Sequence, residues 1–321
     1  MLMDNMISVV IPVLNEEENI VPLFKEIKEV LTLLPHDYEV IFVDDGSTDR
    51  TLEKLLSLLS EEEKNLRIVQ LRRCFGQSAA LLAGFQSVKG DLIITLDGDG
   101  QNDPQDIPSL LEALVDDIDV VCGWRHNRQD GFFLKKLPSK IFNLFNRISN
   151  KLNIHDSGCT LRIYRKEAIA DLLLLGGDHR YLPAILSNRG FRLAEVKVNH
   201  RPRTRGKTKY GMKRIFDGFS DLFTLRFLLS YGRRPMRFFS KIGVTTLLTT
   251  LGLGIYLLVI KYAQGQDIGS RPLLLLTILL GIAGFQFLFT GFLAELLVRQ
   301  NISASSIYSI RKIYGKQEEP K

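Results

Sequence analysis

Up to Cys122, short apolar runs alternate with longer stretches whose apolar positions recur every three or four residues. The runs Ile7–Val13, Glu39–Val43, Leu66–Leu71, Leu92–Leu96 and Ile118–Cys122 have the length and composition of buried strands. The stretches Asn19–Leu34, Thr51–Leu59, Ser78–Val88 and Ile107–Val115 predict amphipathic helices. Strand and helix in alternation argue for an α/β fold with a mainly parallel, doubly wound sheet.

After Arg128 this rhythm stops. In Phe132–Leu152, Phe133, Leu137, Ile141, Leu144, Phe145 and Ile148 lie among Lys135, Lys136, Lys140 and Arg147. That pattern is a basic amphipathic helix, lying on a bilayer or packed on the sheet. Tyr210–Tyr231 repeats the theme, with Phe216, Phe219, Leu222, Phe223 and Phe227 on one side, and leads into a third regime. There, Ile242–Ile260 and Pro272–Ala294 carry no charge. As helices they reach about 28 and 34 Å, against a hydrocarbon core of about 30 Å, so a transmembrane hairpin is predicted. The boundaries expected are a catalytic domain at 1–209, an amphipathic juxtamembrane helix at 210–236, two spans within 237–299 (about 238–262 and 272–297), and a tail at 300–321.

Charge orients the hairpin. Arg226, Arg233, Arg234, Arg237 and Lys241 precede it and Arg299, Arg311, Lys312 and Lys316 follow it, while the connection holds only Lys261, Arg271 and the opposing Asp267. The positive-inside tendency places the catalytic domain and both termini in the cytoplasm, at an inner or plasma membrane. Met1–Asn5 has no basic start, so no signal peptide is expected. The net charge of +6 is concentrated between Asn199 and Lys241, where twelve Lys or Arg face only Asp217 and Asp221. Beside a span this means anionic head groups. Without an aromatic platform or recognition helix, nucleic acid is excluded as a partner. Cys74, Cys122 and Cys159 are scattered and fit reduced thiols. Gly252, Gly254, Gly281 and Gly284 permit a homo-oligomer through close helix packing, or reflect tolerance of glycine in lipid.

The chemistry is carried by strand ends. Asp97-Gly98-Asp99 follows the run Asp91–Leu96, which puts two carboxylates at the carboxyl edge of the sheet, where ligands bind in open α/β folds. Gly98 frees the turn to aim both at one ion. A few carboxylates with room for substrate phosphates is how proteins hold Mg²⁺ or Mn²⁺; the alternative is an acidic solvated turn. The first strand closes with Pro12 and a polar cluster, Asn15-Glu16-Glu17-Glu18-Asn19. The second closes with Asp44-Asp45-Gly46-Ser47-Thr48-Asp49, where Asp45 is placed to accept hydrogen bonds from a base or ribose and Ser47 and Asp49 suit helix capping.

These motifs resemble the family 2 glycosyltransferases of GT-A fold, and among them the polyprenyl-phosphate sugar transferases such as dolichol-phosphate mannose synthases and bactoprenol glucosyltransferases. The resemblance continues through Asp97-Gly98-Asp99-Gly100-Gln101, Gly123-x-Arg125-x-x-Arg128, Asp156-Ser157-Gly158-Cys159-x-x-Arg162 and His200-x-x-Arg203-x-x-Gly206-x-Thr208-Lys209-Tyr210. It covers Ile7 to about Tyr231, and the paired spans extend it. The family usually has Ser where Thr208 stands, which keeps the hydroxyl. The resemblance implies that Pro12, Glu16 and Asp45 hold the nucleotide, with Asp97 and Lys209 beside it. It further implies that Asp99 and Gln101, with Asp97, coordinate the metal, that Arg203 and Lys209 face the phosphates, and that Arg125, Arg128 and Arg162 receive the lipid phosphate. Asp156 would orient a substrate or act as a base. The reaction implied is inverting transfer of a hexose, first UDP-glucose, to an undecaprenyl-type phosphate; GDP-mannose, UDP-N-acetylglucosamine and aminoarabinose donors stay open.

Other classes fit less well. Gly206-Lys207-Thr208 ends like a P-loop, but Arg201 stands where the first glycine belongs, and no Gly-x-Gly-x-x-Gly follows the first strand. A processive polysaccharide synthase would resemble its relatives in a Gln-x-x-Arg-Trp segment, whereas the one tryptophan, Trp124, lies elsewhere. An inactive membrane scaffold would have no use for the intact aspartates.

Overall fold

In a computed structural model of the chain, β1 (Ile7–Val13), β2 (Tyr38–Asp44), β3 (Leu66–Gln70) and β4 (Leu92–Thr95) alternate with α1 (Ile20–Thr32), α2 (Thr51–Leu58) and α3 (Gln77–Ser87). The described residues are 6–59, 64–126, 154–174, 176–202, 224, 227–228, 230–232 and 234–301. After β4 come a 3-10 turn (Pro104–Asp106), α4 (Ile107–Glu112), β5 (Val120–Arg125), β6 (Arg162–Arg165), α5 (Lys166–Ile169), α6 (Leu182–Asn188) and β7 (Leu193–Val198). One seven-stranded sheet results, in the order β3-β2-β1-β4-β6-β5-β7.

The sheet is parallel from β3 to β4. β6 then runs antiparallel to both of its neighbours, β4 and β5, and β7 joins the far side of β5 in parallel. The expected mainly parallel sheet is thus present with one reversed strand. The fifth predicted strand, Ile118–Cys122, starts later and continues to Arg125.

Alternating side chains of β1 feed two cores, which accounts for its unbroken apolar run. Ile7, Val9, Ile11 and Val13 pack with Ile20, Phe24, Ile27 and Leu31 of α1. Val10 packs on the other face with Ala80, Leu81 and Phe85 of α3. α3 approaches so closely that a Cβ on Gly84 would lie 2.3 Å from Val10 Cγ1. Cys74 is exposed, Cys122 and Cys159 are buried, and none of the three is in a disulfide. Burial pushes Cys122 up to about 12 and Cys159 up to about 11, so both stay neutral thiols.

At the opposite edge from the strand ends, Glu39 is 3% exposed. It accepts hydrogen bonds from Ser8 Oγ and the Lys89 N–H, both at 2.6 Å, and pairs with Arg67 at 3.0 Å. Burial alone would raise its carboxyl; these donors outweigh burial and hold it below the usual range. Glu39→Ala strips all three partners and is expected to cost about 3 kcal/mol, read as a lower unfolding midpoint of the solubilised protein. The contribution is present above the unfolded carboxylate pKa and is lost as pH falls through the depressed folded value.

The chain divides into two units, Met1–Asp221 and Leu222–Lys321. The second contains α7 (Met236–Ala263, 28 residues) and α8 (Pro272–Asn301, 30 residues), both long and apolar enough to cross a membrane. They meet at small residues: a Cβ on Gly284 would lie 2.8 Å from Leu247 Cγ, and one on Gly291 2.7 Å from Phe239 Cβ. Gly252 and Gly254 face open space. Thr245, Thr246, Thr249 and Thr250 each return a hydroxyl to the carbonyl four residues back, which satisfies them without water. Leu248, Leu258, Phe285 and Phe289 are more than half exposed, a surface suited to lipid.

Candidate active site

The loops after β1 and β2 are laced together at the carboxyl edge. Asn15 adopts φ 55°, in the left-handed region that asparagine tolerates better than most residues. Its N–H donates to Ser47 Oγ at 2.9 Å, and its Oδ1 accepts from the Thr48 N–H at 2.7 Å and the Asp49 N–H at 3.4 Å. The Glu16 N–H donates to Thr51 Oγ1 at 2.8 Å, and Glu16 Oε2 accepts from Asn19 Nδ2 at 2.7 Å. Asp49 accepts from the Thr51 N–H at 2.9 Å at the start of α2, whose N-cap position is Arg50, and Ser47 Oγ serves Asn15. Asn15→Ala, which removes the acceptor that ties the two loops, is expected to destabilise by about 1–2 kcal/mol, read by thermal unfolding.

Asp45 lies at this edge, 3% exposed. It fastens the loop after β3, accepting from the Phe75 N–H at 2.7 Å and the Gly76 N–H at 2.8 Å, with Cys74 Sγ at 3.3 Å. Gly46 makes the approach possible, since a Cβ there would lie 2.5 Å from the Arg73 carbonyl carbon. Pro12 pairs with Val43 within the parallel ladder.

Asp97 and Asp99 follow the end of β4. Gln77 Nε2, at the start of α3, donates to Asp97 Oδ1 at 2.7 Å, and the Asp97 N–H donates to Asn102 Oδ1 at 3.2 Å. Asp99 Oδ1 accepts from the Gln101 N–H at 3.1 Å. Burial first, and the charge of Asp99 second, raise Asp97 to about 6. Two neighbouring carboxylates, with the charge of Asp99 acting on Asp97, plus the Gln101 amide, are a hard-oxygen donor set that suits Mg²⁺ or Mn²⁺. Among the described residues no group of three or more His, Cys, Asp and Glu is arranged for a metal.

Arg125 ends β5 and grips Asp156 through two parallel bonds, Nε to Oδ2 at 2.7 Å and Nη2 to Oδ1 at 3.0 Å. The side chains are 13% and 5% exposed. The Arg125 and Gly158 N–H groups complete the carboxylate at 3.3 and 3.2 Å. Arg162 is placed differently. It is 2% exposed, donating to the carbonyls of Ser157 at 2.6 Å and His179 at 3.3 Å, and its Nε has no partner among the described residues. It faces a small cavity that Asp97, Gln77, Tyr164 and His179 also line, behind the acidic turn. Arg128, Arg203 and Lys209, the predicted helix 132–152 and most of 210–231 lie outside the described residues.

Three supports escape a local reading of the sequence. Gln77 and Asn102 brace Asp97 from neighbouring segments. Arg201 spans Glu26 at 2.6 Å and Asp103 at 2.7 Å while its N–H donates to the Gln101 carbonyl at 3.0 Å. That clasp ties α1, the acidic turn and the start of the basic segment together. Its one legible sign is an arginine inside a basic block.

The model of glycosyl transferase family 2 matches residues 8–173. A dodecaprenyl-phosphate galacturonate synthase of Rhizobium johnstonii is 40% identical over 319 residues, covering 98% of this chain and 94% of that protein. An undecaprenyl-phosphate 4-deoxy-4-formamido-L-arabinose transferase of Yersinia enterocolitica is 33% identical over 315 residues, covering 97% and 94%. Among solved structures, a glucosyl-3-phosphoglycerate synthase of Mycobacterium tuberculosis, in complex with Mn²⁺, UDP-glucose and glycerol 3-phosphate, aligns with a TM-score of 0.54 at 20% identity, covering 69% of this chain and 80% of that one. A mannosyl-3-phosphoglycerate synthase of Rubrobacter xylanophilus aligns with a TM-score of 0.57 at 18% identity, covering 70% and 74%. These likenesses show the fold, the mainly parallel GT-A sheet that the motifs imply.

Proposed function

Since this chain belongs to glycosyl transferase family 2, we propose that it moves a sugar from a nucleoside diphosphate to a polyprenyl phosphate, with inversion, at the carboxyl edge of its sheet. The observation that supports this best is the pairing of Arg125 with Asp156 close enough to the acidic turn for its charge to act on Asp97. Two relatives that match nearly end to end are named for polyprenyl-phosphate acceptors.

The acceptor supplies its own nucleophile. A phosphate monoester, with a second pKa near 6, is largely ionised at pH 7. Its oxygen attacks the anomeric carbon as the bond to the diphosphate breaks, and the departing nucleoside diphosphate keeps the electron pair. No proton has to be removed. Asp156, bound on both oxygens by Arg125, accordingly acts as the anchor of that guanidinium rather than as a base. A planar guanidinium fixed through one edge offers its remaining Nη1 donors to an anion, and Arg128 would add charge beside it. Arg162, predicted as a phosphate contact, instead serves as a buried positive charge behind Asp97.

A bound Mg²⁺ or Mn²⁺, held by Asp99, Gln101 and Asp97, would neutralise charge on the leaving diphosphate. Arg203 and Lys209 would add to that neutralisation, while Pro12, Glu16 and Asp45 shape the nucleotide pocket. The apolar helices would form a hairpin in the inner or plasma membrane, with both chain ends cytoplasmic, so that enzyme and lipid acceptor share a bilayer.

The sequence motifs favour UDP-glucose as donor, and the 40% relative is named for galacturonate. Purified enzyme with polyprenyl phosphate and radiolabelled UDP-glucose, UDP-galacturonate, GDP-mannose or UDP-N-acetylglucosamine tests the reading. One donor should yield a lipid-linked monophosphate sugar. Failure of all these donors, with nucleotide released only by hydrolysis, would remove the acceptor claim.

A further inference from the structure

We propose that Glu195, on β7, is a positioning residue that sets the Arg125–Asp156 pair; the inference rests on that pair being part of the transfer site. Its side chain is 9% exposed. Oε1 accepts from the His155 N–H at 2.8 Å and the Asp156 N–H at 3.0 Å, and Oε2 accepts from the His155 N–H at 2.9 Å and pairs with His155 Nδ1 at 2.9 Å. One carboxylate therefore holds both backbone N–H groups at the point where Asp156 leaves the chain.

β5 grips the same turn from the other side. Trp124 stacks on His155, with ring centroids 4.4 Å apart and an interplanar angle of 15°. The next residue, Arg125, takes Asp156. Consecutive residues of one strand thus hold consecutive residues of the turn, and Glu195 closes the back. It is fixed there by the parallel ladder, which pairs Cys122 with Glu195 and Trp124 with Lys197.

Hydrogen bonds from N–H groups to an ionised carboxylate are stronger than neutral ones, and a bidentate arginine pair tolerates little angular error. Replacing Glu195 by Gln keeps the size but turns one acceptor into an NH₂ group that meets N–H donors. With the charge gone the turn is held less firmly, and a displacement of about 1 Å at a reacting site costs about 100-fold in rate. A carboxylate that merely stabilised a loop would lower the unfolding temperature and leave turnover of the folded enzyme alone.

The test is a double-mutant cycle in the purified full-length enzyme, with polyprenyl phosphate and its sugar nucleotide. Glu195→Gln is expected to lower kcat about 10- to 100-fold, with KM for the sugar nucleotide within about twofold of the parent. Asp156→Asn should lose at least as much, and the double variant should be no worse than Asp156→Asn, because both changes remove one function. Full kcat in Glu195→Gln, or losses that multiply in the double variant, overturns the proposal. Full activity in Asp156→Asn overturns the reading of the pair, and this inference with it. Should Glu195→Gln fail to fold, His155→Ala removes the stack and the Nδ1 contact at a half-exposed side chain. It should lower kcat a few-fold at unchanged sugar-nucleotide KM, and unaltered kcat there also overturns the proposal.

Discussion

Asp99→Ala is expected to lower turnover by a factor of about 100 or more, equivalent to about 3 kcal/mol of lost transition-state stabilisation. The variant keeps Asp97, which Gln77 and the turn still hold, but leaves one carboxylate where the proposed metal site uses two. Removing the neighbouring charge should also let Asp97 ionise more easily, since Asp99 is the second cause of its elevation after burial. Parent enzyme should therefore bind Mn²⁺ more weakly as pH falls through about 6, where protons compete for Asp97. Without a cation the sign for stability is the reverse of a salt-bridged acid. The folded state holds the proton more tightly than the unfolded chain, so the protein gains stability as pH falls from about 6 to about 4. Titration of Mn²⁺ by calorimetry at pH 7 and pH 5, beside initial rates with and without chelator, checks both parts. Near-normal turnover of Asp99→Ala, or undiminished transfer in excess chelator, would end the metal argument.

Asp156→Ala should fail in two ways at once. It leaves the Arg125 guanidinium, 13% exposed, without its carboxylate, and breaking one side of a buried ion pair costs about 3–5 kcal/mol. It also releases the guanidinium from the geometry proposed to meet the acceptor phosphate, so transfer should fall below detection. The two effects separate in a second variant. Asp156→Ala combined with Arg125→Met removes both charges and should recover most of the lost thermal stability while remaining inactive. If that double variant transferred sugar at the parent rate, Arg125 would have no part in the reaction.

The first four strands were legible because burial on both faces demands unbroken Val, Ile and Leu, and runs that short are too brief for a helix of the same composition. The acidic turn and the loops after β1 and β2 were legible for a related reason: polar clusters recur at consecutive strand ends. β6 was not. It is four residues long with an arginine at each end, and its burial comes from strands on both sides rather than from its own composition. β7 was missed because it alternates Leu, Glu and Lys on an edge, where half-burial weakens the signal. The burial of Arg162 was not legible either. A motif marks it as important, but only the three-dimensional packing shows that carbonyls surround it. Contacts such as Arg201 with Glu26 join residues 175 positions apart, and no local pattern records them.

The direction of β6 decides which residues can take part in the reaction. Had the chain crossed over to make it run with its neighbours, Arg165 and the segment beyond it would stand beside the aspartates. Reversal brings the entrance of that strand to the reactive rim instead, so the peptide immediately upstream, which carries Asp156, is delivered there. The rim is thus assembled from the exits of β1, β2, β4 and β5 and, at β6, from a strand entrance, so a change in the peptide before β6 can move Asp156 without moving those exits.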